Sequence, residues 1–200
     1  TRRMSSDSRV DERTLREIYL AAFEGAVRKE KPWTVMCSYN KINGTYAAQN
    51  HKYLTEVLRD EWGFEGYVMS DWGAVNNRVE DLKAGLDLEM PSSMGANDRL
   101  IVGAVQSGEL EESVLDTAVE RILNVVFHYE ENRDRSAEFD RDKDHEMARK
   151  VAQETIVLLK NEGHVLPLKE GSKVALFGAG AGKTMKGGTG SGDVNEREII

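Results

Sequence analysis

Tyr67-Val-Met-Ser-Asp-Trp72 is a short apolar run that ends by presenting a carboxylate beside an indole. In an α/β enzyme the carboxyl end of a strand faces the ligand crevice, so an acid placed there is available for chemistry. Asp71 is therefore the first candidate for a catalytic group. Two more strand-like runs stand around it, Thr34-Val-Met-Cys-Ser-Tyr-Asn40 and Leu86-Asp-Leu-Glu-Met90. Each is separated from the next by an amphipathic stretch of helical spacing, which is the rhythm of a parallel sheet. Each also ends in polar or aromatic residues, and a β/α barrel assembles its active site in this way, from several strand ends on one face.

The intervening patterns are helical. Leu15, Ile18, Tyr19, Ala22, Phe23, Ala26 and Val27 recur at three-and-four spacing, with Asp11 placed to cap the start and Pro32 following the end. A second helix is predicted from about Lys52 to Trp62, burying Tyr53, Leu54, Val57 and Leu58 and closed by Gly63. Val79 and Leu82 mark another, and Leu100, Ile101, Ala104 and Val105 one that stops near Gly108. The longest pattern, Leu110 to about Tyr129, carries Val114, Leu115, Ala118, Val119, Ile122, Leu123 and Val126 on one stripe. The charged segment 130–144 then reads as an exposed interdomain linker. Beyond it, Met147, Val151, Ile156 and Leu159 predict a further helix, and Lys173-Val-Ala-Leu-Phe-Gly178 a buried strand opening a new α/β unit.

Net charge −8 over 200 residues argues against a nucleic-acid partner and suits a neutral substrate. The single Cys37 lies inside an apolar strand, which makes it a structural thiol rather than a nucleophile. The four histidines, His51, His128, His145 and His164, show no metal-ligand spacing. Nothing approaches the ~20 apolar residues of a membrane span, and Thr1-Arg-Arg-Met-Ser-Ser opens no signal peptide, an absence that says little about secretion if the chain's true start lies upstream; a cytoplasmic setting is the expectation.

Five stretches together resemble glycoside hydrolase family 3, and its β-glucosidases in particular. They are Asp11-Glu-Arg-Thr-Leu-Arg-Glu-Ile-Tyr-Leu20, Ser38-Tyr-Asn-Lys-Ile-Asn-Gly44, Gly66-Tyr-Val-Met-Ser-Asp-Trp72, Ala152-Gln-Glu-Thr-Ile-Val-Leu-Leu-Lys-Asn161 and Gly187-Gly-Thr-Gly-Ser-Gly192. The resemblance implies an α/β chain made of the C-terminal part of a (β/α)8 barrel over residues 1–129, a linker over 130–144 and the start of an α/β sandwich domain over 145–200. It implies a retaining exo-acting β-glycosidase, with β-glucosidase first and β-xylosidase or another family member as the alternative. The partner is then a β-glucoside or oligosaccharide, and no cofactor is needed.

Retention requires two carboxyl groups about 5 Å apart, one attacking the anomeric carbon and one protonating the leaving oxygen. On bare residues Asp71 could be no more than a helix N-cap; the resemblance makes Ser-Asp-Trp the nucleophile motif. Trp72 would lie along the sugar. The resemblance further implies that Arg3, with Arg2 as its competing neighbour, binds sugar hydroxyls, that Tyr39 steadies the nucleophile, and that Ser191 reaches the sugar from a glycine-rich loop. A purely local reading would choose Glu89 as the acid. In the family that role falls to a glutamate of the sandwich domain, expected beyond residue 200, and a sugar-binding Lys-His pair is expected before residue 1. Glu89 is thus a structural or rim group, and the chain alone is expected to turn over aryl glucosides negligibly.

Two rivals belong to other classes. The chain could serve only as a carbohydrate-binding or assembly module, since open barrel edges favour a homo-oligomer or association with missing segments. Leu176-Phe-Gly-Ala-Gly-Ala-Gly-Lys-Thr184 also resembles a nucleotide-binding loop, but Phe177 and Lys183 stand where the two phosphate-binding spacings need glycine.

Overall fold

The computed structural model describes residues 2–178 and residue 181. The chain forms two compact units that meet in sequence between Ser136 and Ala137.

The first unit is built on a parallel pair, β2 (Thr34–Cys37) and β5 (Tyr67–Ser70), in the register Thr34↔Tyr67 to Cys37↔Ser70. Side chains alternate along both strands. Thr34 and Met36 are exposed and Tyr67 and Met69 half-buried, whereas Cys37, Val68 and Ser70 are buried on the opposite face. That buried face meets Val27 of helix α2 (Ala21–Glu30) and Leu54, Val57 and Leu58 of a π-wound helix, Lys52–Glu61, with Trp62, Phe64 and Leu86 filling the same core. α2 continues a helical path opened by α1 (Glu12–Thr14) and the π-wound turn Leu15–Tyr19. The Asp11 side chain accepts the Thr14 N–H at 2.9 Å, as the capping pattern predicts. Above the strand ends sits a small sheet, β1 (Asp7–Ser8) parallel to β3 (Lys41–Ile42), which turns back into β4 (Thr45–Tyr46).

Leu86–Met90, expected as a third strand, makes only one backbone bridge to the sheet, Met69↔Leu88. Side chains occupy the ladder on either side of it. The Val68 N–H goes to the Asp87 carboxylate at 2.7 Å, the Leu86 and Asp87 carbonyls are taken by the Arg78 guanidinium, and both backbone groups of Met90 are bonded to the Ser70 hydroxyl. The line is parallel and correctly placed; its backbone bonds to Val68 and Ser70 are confined to Asp87 and Leu88, and polar side chains take the groups on either side. Gly85 makes the bend into it: its φ is 105°, and a Cβ there would lie 2.6 Å from the Thr55 hydroxyl.

Helix α3 (Arg78–Ala84) precedes that bend, and α4 (Ala96–Ser107) and α5 (Glu112–Asn132) follow it. Val79, Leu82, Ala104, Leu110 and Ala118 form their shared core.

On α3, Asp81 is fully buried and neither carboxylate oxygen has a well-formed hydrogen bond. Burial pushes its pKa up to about 7, against the pull of Arg78 and Gln49, while Glu80 and Glu89 push the same way. The folded chain therefore keeps a proton that the unfolded chain releases near pH 4. Stability should fall as pH rises from about 4 to about 7, by at most about 1.4 kcal/mol per pH unit, and then level off. Asp81→Asn is expected to remove that slope and to raise the urea midpoint at pH 8. Superimposable stability–pH curves for the two proteins would refute this.

In the second unit, helix α6 (Arg141–Thr155) starts at Asp140, whose side chain accepts the Asp142 and Lys143 N–H groups. The helix ends before Ile156, short of the Leu159 that the apolar spacing implied. Lys173–Gly178, expected as a buried strand, is exposed and irregular. A strand's backbone groups need a neighbouring strand to bond, and the described residues of this unit supply none. No helix among the described residues is long and apolar enough to cross a membrane.

Candidate active site

Asp71 stands one residue beyond β5, at the carboxyl edge of the parallel pair. Its N–H donates to the Cys37 carbonyl at 3.2 Å, which continues the β2–β5 pairing by one step. The chain then turns. The Ala74 N–H bonds the Asp71 carbonyl at 3.0 Å, and the Trp72 N–H bonds Asp71 Oδ1 at 2.7 Å. Asp71 does not cap the following helix, because Asn77 does so by accepting the Val79 and Glu80 N–H groups. The carboxylate is half-buried at the strand end and carries one fixed backbone donor.

Tyr39, just beyond the end of β2, lies close enough to Asp71 for the carboxylate to act on its phenol. Burial and the neighbouring carboxylate hold the Tyr39 pKa above its ordinary value, so the hydroxyl keeps its proton and remains a donor. The Arg3 guanidinium lies over the Tyr39 ring, 5.1 Å from its centroid, and opposes that shift. Arg3, Tyr39 and Asp71, distant in sequence, thus meet at one edge of the sheet. Trp72 sits beside them with 52 % of its surface open. Glu89, on the neighbouring line, accepts a 2.6 Å hydrogen bond from the Asn97 amide. Cys37 is buried beneath the site, and burial pushes its thiol up to about 11. Ser191 lies outside the described residues.

Residues 5–125 match the profile described as the glycosyl hydrolase family 3 N terminal domain, and residues 156–200 that of the family's C-terminal domain. The chain belongs to glycosyl hydrolase family 3. Its first unit is accordingly the C-terminal part of a (β/α)8 barrel, and its second the beginning of the following α/β sandwich domain. Among family 3 relatives, the thermostable beta-glucosidase B of Acetivibrio thermocellus is 56 % identical over 198 residues, which are 99 % of this chain and 26 % of that protein. An exo-alpha-(1->6)-L-arabinopyranosidase of Bifidobacterium breve is 49 % identical over 175 residues, 84 % of this chain and 22 % of that protein. Beta-glucosidase 3B of Thermotoga neapolitana, solved in complex with alpha-D-glucose, superimposes with a TM-score of 0.85 at 49 % identity, covering 98 % of this chain and 29 % of the other. The chain spans about a quarter of the length of these relatives.

Sequence reasoning gave no role to Ser70, Gly73 or Asn97. Ser70 was the most legible of the three, being a hydroxyl at a buried strand position immediately before the candidate acid.

Proposed function

We propose that this family 3 segment carries the nucleophile of a retaining, exo-acting β-glucosidase, and that Asp71 is that nucleophile. One observation supports the reading: the Asp71 carboxylate stands at the carboxyl edge of the parallel pair, held by its own loop N–H, with the Tyr39 phenol near it and Arg3 over the Tyr39 ring. The carboxylate attacks the anomeric carbon, the glycosidic C–O bond breaks, and the leaving oxygen takes a proton from an acid elsewhere in the longer protein. Water then hydrolyses the glycosyl-aspartate ester. Arg3 is suited to paired hydrogen bonds with adjacent sugar hydroxyls, and the open face of Trp72 to the C–H surface of a pyranose.

The test is to treat the full-length protein with a 2-deoxy-2-fluoro-β-D-glucosyl fluoride, which forms the ester quickly and releases it slowly. A covalent sugar on the peptide containing Asp71 is the expected result; a label on any other carboxylate overturns the assignment.

Tyr39→Phe deletes the phenolic donor while leaving the ring beneath Arg3. Hydrogen bonds to charged groups are strong enough that a roughly 10- to 100-fold loss in kcat is expected, with KM nearly unchanged. Wild-type kcat in this variant would remove Tyr39 from the mechanism.

The arabinopyranosidase relatives support a second reading on the same mechanism, in which the sugar is a pentopyranose without the exocyclic hydroxymethyl group. Comparing kcat/KM for aryl β-glucosides, β-xylosides and α-L-arabinopyranosides separates the two.

A further inference from the structure

The Ser70 side chain is completely buried, and its hydroxyl is fully used. Its oxygen accepts the Met90 N–H at 2.8 Å and donates its proton to the Met90 carbonyl at 3.1 Å. The same carbonyl accepts the Gly73 N–H at 2.9 Å. A single carbonyl is therefore gripped from the residue before Asp71 and from the residue two beyond it. On the opposite side the Asp71 N–H is tied to Cys37. The acid is suspended between two neighbouring strand lines, and Ser70 with Gly73 makes all of the attachment on the Met90 side.

The backbone pairing of β5 with that side has already ended at Leu88. Without the hydroxyl, the Met90 N–H has no partner there; the Ser70 N–H still holds the Leu88 carbonyl at 2.9 Å, and one bond, from Gly73, is left to hold Met90 itself to the turn. The turn that carries Asp71 is then held to the Met90 end by a single backbone bond and gains room to shift by a fraction of an ångström to about 1 Å. A nucleophile must stand at near-attack distance from the anomeric carbon, and a displacement of about 1 Å is enough to cost on the order of 100-fold in rate. Sugar hydroxyls are held by other side chains, so ground-state binding does not share that sensitivity.

We propose that Ser70 is a positioning residue for Asp71: through Met90 it fixes the carboxylate's reach to the anomeric carbon, and it touches no substrate itself. This rests on Asp71 being the nucleophile.

The experiment measures time-dependent inactivation of the full-length protein by 2-deoxy-2-fluoro-β-D-glucosyl fluoride, together with inhibition by glucose. In Ser70→Ala the inactivation rate constant is expected to fall roughly 10- to 100-fold, while the glucose inhibition constant stays within about twofold and the label remains on Asp71. Ser70→Cys fills the same space with a weak hydrogen-bonding group and is expected to slow in the same direction, which keeps the test open if the alanine variant does not fold. Thr55→Val is the control for lost stability: it deletes a hydroxyl that donates to the Ala84 carbonyl at 2.9 Å and is expected to react at the wild-type rate. The proposal is overturned if the Ser70 variants label at the wild-type rate, or if Thr55→Val slows as much for an equal loss of melting temperature. Label on a different residue in the wild type removes the nucleophile reading, and this proposal with it. Label on Asp71 at equal rates in wild type and Ser70 variants removes this proposal alone.

Discussion

Asp71→Asn in the full-length protein is expected to lower kcat for aryl β-glucosides by roughly 10⁴-fold or more, as loss of a nucleophile does elsewhere. The substitution keeps the local structure. An asparagine oxygen can still accept the Trp72 N–H, and the backbone bonds to Cys37 and Ala74 do not involve the side chain. The melting temperature should therefore stay close to wild type while turnover disappears, and a matched loss of both would mean that Asp71 is structural. Asp71→Gly adds a sharper criterion. With the carboxylate gone, azide can occupy the emptied space and attack the anomeric carbon from the same side, breaking the C–O bond and forming a C–N bond. An activated β-glucoside should then give an α-glucosyl azide. A β-configured product, or no rescue by azide in a folded variant, would place the nucleophile elsewhere. Glu89→Gln is the contrasting case, because Glu89 is engaged by Asn97, and a far smaller loss of rate is expected there.

The strand-end logic put Asp71 just past a strand, and it stands one residue beyond β5, because that position depends only on a short apolar run. Bringing Arg3 and Tyr39 to it needed more. Nothing in their spacing says that residues 36 apart will stack, and it was the family resemblance that joined them. The Leu86–Met90 line shows where pattern reading stops. Its apolar residues mark a strand, but backbone pairing is limited to Asp87 and Leu88, the side chains of Asp87, Arg78 and Ser70 take the neighbouring groups, and composition does not reveal such substitutions. Asp81 was invisible for a related reason: a carboxylate on a helix reads as a solvated face, and only packing reveals that it is enclosed. Lys173–Gly178 failed in the opposite direction. Its apolar run is real, but a strand is a property of the pair rather than of one segment.

Asp87→Ala is expected to be the most destabilising single change in the first unit. The Asp87 side chain is 1 % exposed and holds three donors: Arg59 at 2.6 Å, Arg121 at 3.0 Å and the Val68 N–H at 2.7 Å. Arg59 is itself almost enclosed, at 7 % exposure, and its Nε already lacks a partner. Burial pulls its pKa down to about 10, and Asp87 is the first of the charges acting to keep it up. Removing the carboxylate strands a buried guanidinium and a strand N–H together, and breaking a buried pair from one side costs about 3–5 kcal/mol. That is a large part of the ~5–15 kcal/mol that holds a typical domain folded. At ~2 kcal/mol/M it corresponds to a fall of about 1.5–2.5 M in the urea midpoint. All three tryptophans, Trp33, Trp62 and Trp72, belong to this unit, so their fluorescence follows its unfolding in this chain. Glu24→Ala, which breaks the solvent-exposed 2.8 Å pair with Arg28, supplies the scale, since exposed pairs contribute about 0–1 kcal/mol. Equal midpoints for the two variants would show that Asp87 is not the anchor. The network ties the Lys52–Glu61 helix and α5 to the start of the line that ends at Met90, so the charge that stabilises the unit also locates the strand end against which Ser70 sets Asp71.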